Sequence, residues 1–171
     1  MAFITDSTST VISFADYSDV QATDQRLFEA NEGLTEIIVE DLLIKATQRI
    51  LTQIQYTDWF RDLYSKNVGA SAFYTTASDV PPISANQILA RHDDFTDLCV
   101  YYGLYYYILP KVADFSKEDN SERAKIAYYQ QKFQGLFTEL INAGDWYDMT
   151  GDGTINTKEK DPGNMRLHRT R

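Results

Sequence analysis

The residues with the clearest chemical spacing lie near the C-terminus, where Asp148, Thr150, Asp152, Thr154, Asn156 and Glu159 occupy positions 1, 3, 5, 7, 9 and 12 of a twelve-residue run, with Gly153 at position 6. A hard cation such as calcium takes six to eight oxygen ligands, and a single chain supplies them only by turning sharply while alternate side chains point inward. The spacing matches that requirement. Ile155 falls at position 8, where an apolar side chain anchors such a loop, and the backbone carbonyl of Thr154 would be the ligand from position 7. Two departures stand against a full match: Thr150 replaces the usual carboxylate or amide, and Pro162 cuts short any helix leaving Glu159. The same residues also suit a polar Gly-rich turn whose aspartates bond their own backbone. If metal binds, one structural calcium ion is expected, a brace and not a switch.

Other chemistry has few residues to use. The two histidines, His92 and His168, are far apart, and the His92-Asp93 pair lacks the further histidines that a metal phosphohydrolase needs. No Gly-rich phosphate loop, Cys/His cluster or serine elbow is present, so no catalytic residue is assigned and no cofactor is required. Cys99 lies in an apolar run, Leu98 to Tyr101, and is expected to be a small buried hydrophobe.

Composition sets the background. The chain has 171 residues, 43% hydrophobic and 24% charged, ordinary for a one-domain globular protein. The net charge of −9 disfavours gripping a phosphate backbone, although a surface that faces DNA without holding it is permitted. No acidic residue follows Asp161, whereas Arg166, Arg169 and Arg171 lie beyond it. That basic end either contacts an acidic patch on another protein or frays in solvent. The most apolar stretch, 98–109, contains five tyrosines and falls short of the roughly 20 apolar residues of a spanning helix. The N-terminus lacks the basic flank and apolar centre of a secretory signal.

The elements that must position these residues read as helices. Residues 1–20 are rich in Ser, Thr and Asp and are expected to be extended or irregular, ordering only against a partner. Thr23 caps a short helix ending near Asn31 and Gly33. Thr35 caps a long one with Ile38, Val39, Leu42, Leu43, Ala46, Ile50 and Ile54 at helical spacing. Thr57 caps another, and 70–84, with Pro81-Pro82, form a loop or arm. Ser84 caps a helix through Ala90. A further helix over 95–109 stops at Pro110, and a last long one runs from Ser121 to about Ala143. No strand pattern of useful length is evident. The expected fold is all-α: an antiparallel helical bundle with an extended N-terminal arm and a C-terminal extension. It divides into a helical body with its arm at 1–147, the calcium-type loop at 148–159 and a basic tail at 160–171.

On an ideal helix Tyr101, Tyr105 and Ile108 share one face, and Tyr102, Tyr106 and Leu109 its neighbour. Together they form an apolar surface wide enough to serve core and interface alike, and tyrosine tolerates partial burial.

The run from Phe14, Ala15, Asp16 and Tyr17 to Gly33, Leu34, Thr35 and Glu36, the following Thr47-Gln48-Arg49-Ile50, and the ending Asp161-Pro162-Gly163-Asn164-Met165-Arg166-Leu167-His168-Arg169 resemble the head-to-tail connector, or adaptor, proteins of tailed-bacteriophage necks. The likeness is strongest over 14–60 and rests on overall pattern. It implies a non-enzymatic virion protein at the capsid vertex, assembled in the host cytoplasm. Its protomers would form a homo-oligomeric ring, typically of twelve copies, between the portal and a downstream neck or tail protein. DNA would pass through without sequence-specific binding, and no membrane would take part. It further implies that a C-terminal segment docks on the portal, giving Arg166, His168, Arg169 and Arg171 a partner. The alternative is a soluble calcium-responsive helical protein-binding module.

Overall fold

The computed structural model describes residues 3–31, 33–68, 80–113 and 121–160, so the basic residues Arg166, His168, Arg169 and Arg171 lie outside the described residues. The chain is mostly helical with one small two-stranded sheet. Strands β1 (Ile4–Thr5) and β2 (Val11–Ser13) form an antiparallel hairpin. Its turn is closed by Asp6, whose Oδ1 accepts the backbone N–H groups of Thr8 and Thr10 and the Thr8 hydroxyl at 2.7–2.9 Å. Here the sequence expectation of an arm ordered only by a partner is corrected. Phe3 packs 4.6 Å from the Phe14 ring and 4.7 Å from that of His92, and the Phe14 amide donates to Thr47 Oγ1, so the hairpin orders against its own body. Two strands of two and three residues are too short to show an alternation in the sequence.

Helix α1 (Tyr17–Thr23) starts at a reciprocal capping box: Asp16 Oδ1 accepts the Asp19 amide, and Asp19 Oδ2 accepts the Asp16 amide. Thr23 therefore ends α1 instead of capping α2 (Gln25–Ala30), which follows Asp24. Asp24 is buried, and its carboxylate takes both Lys125 Nζ contacts, at 2.7 and 2.8 Å, and the Tyr129 hydroxyl at 3.4 Å. Removing the cation strands a carboxylate in the interior, a change that costs several kcal/mol when both partners are buried and less here because Lys125 is a third exposed. Lys125→Ala is expected to lower unfolding free energy by about 2 kcal/mol in urea titration.

Helix α3 (Glu36–Gln55) buries Val39, Leu42, Leu43, Ala46, Thr47, Ile50 and Ile54, matching the periodicity except for Ile38, which is exposed. Thr57 accepts the Phe60 amide and so caps α4 (Asp58–Val68), as its type predicts. Ser84 is followed by a single 3-10 turn (Ala85–Gln87), not the longer helix expected.

Helix α5 (His92–Tyr102) runs into a π-helical segment (Gly103–Ile108) and then α6 (Leu109–Val112). The predicted stop at Pro110 is corrected. Proline has no amide to donate, but the π segment immediately before it bonds i to i+5 and shifts the hydrogen-bond register, and the chain stays helical through Pro110 to Val112. Helix α7 (Ser121–Ala143) and the short α8 (Thr157–Lys160) complete the order. The α5 and π segments pack against α3 and against α7, with the core between them. Gly103 allows the close approach to α3: a Cβ there would lie 3.1 Å from Leu43 Cδ2. Among the described residues no helix is long and apolar enough to cross a membrane.

Cys99 is fully buried, as expected, within 3.4 Å of Thr47 Oγ1, and burial pushes its thiol up to about 12 from an ordinary 9.0. Burial likewise pushes the Tyr105 and Tyr147 hydroxyls up to about 12. For acids whose folded pKa is raised, the stabilisation is complete below the unfolded value and is lost as pH climbs to the folded one. The denaturation midpoint should therefore fall between about pH 9 and pH 12, and the thiol should react with a disulfide reagent at pH 8 only after unfolding.

Candidate functional site

The end of α7 sets up the C-terminal loop. Gly144 closes the helix with its amide on Leu140 O and adopts φ +56°, a left-handed conformation that side chains resist. A Cβ at this position would lie 2.6 Å from Trp59 Nε1. The turn delivers Trp146 into the core at 0% exposure, its ring 4.6 Å from Trp59 and 4.8 Å from Phe95, its Nε1 donating to Leu140 O at 2.8 Å. Asp145, on the other side, takes a two-pronged contact from Arg91, at 2.6 and 3.2 Å; the Arg91 hydrogen bond holds its carboxyl below the usual range.

Residues 84–89 then act as a clamp. The Leu89 amide donates to Trp146 O, the Asp148 amide to Gln87 O, and Ile88 pairs with Tyr147 in an antiparallel bridge. Tyr147 donates its hydroxyl proton to Gln87 Oε1 at 2.7 Å and accepts the Ser84 amide. Next to these residues, Asn86 accepts the Val11 amide and donates to Ser9 O. One short segment thus joins the N-terminal hairpin to the C-terminal loop.

Inside the loop, Asp148 and Glu159 are both buried. Asp148 Oδ1 accepts the Gly151 amide at 2.7 Å and the Thr150 hydroxyl at 3.2 Å, and its Oδ2 accepts the Gly153 amide at 2.7 Å. Glu159 Oε1 takes the Thr150 amide and Oε2 the Asn156 amide, both at 2.9 Å. The second of these, with the Lys158 amide on Asn156 Oδ1, forms the cap of α8. Asp152, fully exposed, accepts the Thr154 hydroxyl and amide, which together lower its pKa. Gly153 turns the chain at φ +81°.

All six predicted loop residues are thus in one self-bonded turn. Their donors are all oxygen, which suits a hard cation. However, the carboxylates are occupied by amide and hydroxyl donors, and among the described residues no group of three or more His, Cys, Asp or Glu side chains is placed to hold a metal ion. What the turn does is fix the chain: Glu159 sits at 0% exposure in α8, which packs on α4.

The tyrosines differ in burial. Tyr102 is a core residue, stacked 5.2 Å from Tyr106 and edge-on to Phe133; Tyr106 is half exposed, and Tyr101 and Tyr105 are partly buried. Tyr102 and Tyr106 thus stay neighbours, as their spacing predicts, while Leu109, at 0% exposure, belongs to the core. Sequence reasoning missed the Arg91–Asp145 pair, the 84–89 clamp and Trp146. The only signal for them was the aromatic pair Trp146-Tyr147 immediately before the loop. Comparison with protein-family models, curated protein sequences and solved structures finds no match to this chain.

Proposed function

We propose that this chain is a structural protein of the tailed-phage neck, a ring-forming adaptor between the portal and a downstream neck or tail protein. The observation that carries the reading is the anchored loop: a turn locked by Asp148, Glu159 and the 84–89 clamp fixes the chain up to Lys160, and the sequence that follows it carries Arg166, His168, Arg169 and Arg171 on an otherwise acidic protein. That suits a protein that aims a basic segment at an acidic partner. The resemblance of 14–60 and of the ending to phage adaptors supplies the partner, the portal. On this reading the helices form an antiparallel bundle and about twelve protomers close around the DNA channel. Exposed Tyr106, with Tyr101 and Tyr105 beside it, meets neighbouring subunits, and no catalysis is involved. An acidic wall would let DNA pass without retention. Native mass spectrometry of the chain with purified portal tests it: bound copies are expected, and their loss in an Arg166→Glu, Arg169→Glu, Arg171→Glu variant. No binding by the wild-type chain would sink the proposal.

A second reading, a calcium-responsive binding module, is favoured by one feature: Asp148 and Glu159 are buried on either side of Thr150 without an ion pair among the described residues. Buried charges are normally paired or metal-bound. Asp148, Thr150, Asp152, the Thr154 carbonyl, Asn156 and Glu159 would hold the ion, which would supply the missing positive charge. Calorimetry decides: heat of calcium binding lost in Asp148→Ala and in Asp152→Ala supports it, and no heat at millimolar calcium dismisses it.

A further inference from the structure

Two unlike patches lie on the outward face of α3. Its first turns expose Ile37 (74%) and Ile38 (41%), surrounded by Glu36, Glu40 and Asp41. Further along, Lys45, Gln48, Arg49 and Thr52 line a groove of about 270 Å³ with Tyr107 of the π segment as its wall, and no acidic residue takes part in that lining. None of these five charged side chains forms an ion pair among the described residues, although the protein carries nine more acidic than basic groups. Ile37 and Ile38 are adjacent and exposed on a helix whose other aliphatic residues are buried or partly buried, the most solvent-exposed adjacent large apolar pair among the described residues.

We infer that the Ile37-Ile38 knob of one copy seats in the Lys45-Arg49-Tyr107 groove of the next. Charge supports the pairing, since a knob with three carboxylates meets a groove with two cations and no anion. The isoleucines would lie against the Tyr107 ring and the aliphatic stems of Lys45 and Arg49. A chain cannot satisfy itself this way. Ile37 and Gln48 are eleven residues apart on one continuous helix, about 16 Å at 1.5 Å per residue, so the contact must join two molecules. Two-fold pairing would also seat each knob in its partner's groove, so it is the ring of the adaptor reading that selects the head-to-tail form, the kind that propagates. The head-to-tail geometry rests on the adaptor reading; the contact itself rests on the two patches.

Double-cysteine cross-linking tests it. Ile37→Cys and Gln48→Cys are placed in the same chain, where the helix prevents them from bonding to each other and Cys99 stays buried. Oxidation with portal present is expected to give a ladder of covalent oligomers on a non-reducing gel. Either single-cysteine variant should give none beyond dimer, and adding Lys45→Glu and Arg49→Glu should abolish the ladder. A covalent dimer that grows no further would overturn the head-to-tail contact in favour of two-fold pairing. No cross-link would overturn the contact itself. If the same sample still shows chain bound to portal, the neck proposal survives while this interface does not.

Discussion

Trp146→Ala is expected to destabilise the protein by about 3–5 kcal/mol, a large share of the 5–15 kcal/mol that holds an ordinary domain together. The indole is fully buried between Trp59, Phe95 and Tyr147, and its N–H is committed to Leu140 O. Truncation leaves a cavity that rigid aromatic neighbours cannot fill, and it removes one of the two hydrogen bonds on the Leu140 carbonyl, which keeps only the Gly144 amide. The same site can be probed from the opposite direction. Gly144→Ala forces a side chain into φ +56° and places its Cβ 2.6 Å from Trp59 Nε1, so the indole stack must shift. Both variants should lower the urea midpoint, and both should make the C-terminal loop susceptible to protease before the rest of the chain, because the loop is hung on this stack. A loss below about 1 kcal/mol for Trp146→Ala would mean that the stack does not hold the loop.

Asp148→Ala carries the second large effect, a loss of about 3 kcal/mol. Its carboxylate accepts two amides and one hydroxyl, and hydrogen bonds to a charged acceptor are each worth roughly 1.5–3 kcal/mol. The orphaned Gly151 and Gly153 amides can recover part of this by turning to water, which keeps the total below the sum. Asp148→Asn retains an acceptor and should fall between the variant and the wild type. Amide hydrogen exchange at Gly151 and Gly153 gives a local readout: protection is expected in the wild type and should collapse in Asp148→Ala. Unchanged protection would show that the turn is held by something other than this carboxylate.

The parts of the fold that could be read from the sequence are those whose information is local and periodic. Helix α3 buries apolar residues at the spacing the sequence displays, α7 buries Tyr129, Phe133 and Leu140, and Cys99 lies in the core as its apolar neighbours indicate. Oxygen side chains and glycines at fixed intervals likewise marked the loop as a tight turn, and Gly153 turns the chain where position 6 requires it. What stayed hidden depends on contacts between distant segments. The hairpin exists because Phe3 reaches Phe14 and His92 and Val11 reaches Asn86, pairings with no local signature. Pro110 suggested a helix end because proline opposes helix continuation, yet the π segment resets the hydrogen-bond register just before it. Spacing grouped the tyrosines but did not rank their burial: Tyr102 lies in the core and Tyr106 is half exposed, although their rings stack. Arg91, at φ +59° and clasping Asp145 fifty-four positions away, could not be anticipated from residue type.

The proposed role of brace and docking device draws on an acidic helical body, a locked C-terminal turn and the basic sequence that follows it. Negative-stain electron microscopy of purified portal with and without the chain tests this most directly. An added ring of density is expected, coaxial with the portal and pierced by a central channel, which disappears when Arg166, Arg169 and Arg171 are replaced by glutamate. Portal particles unchanged by an excess of the wild-type chain would contradict it.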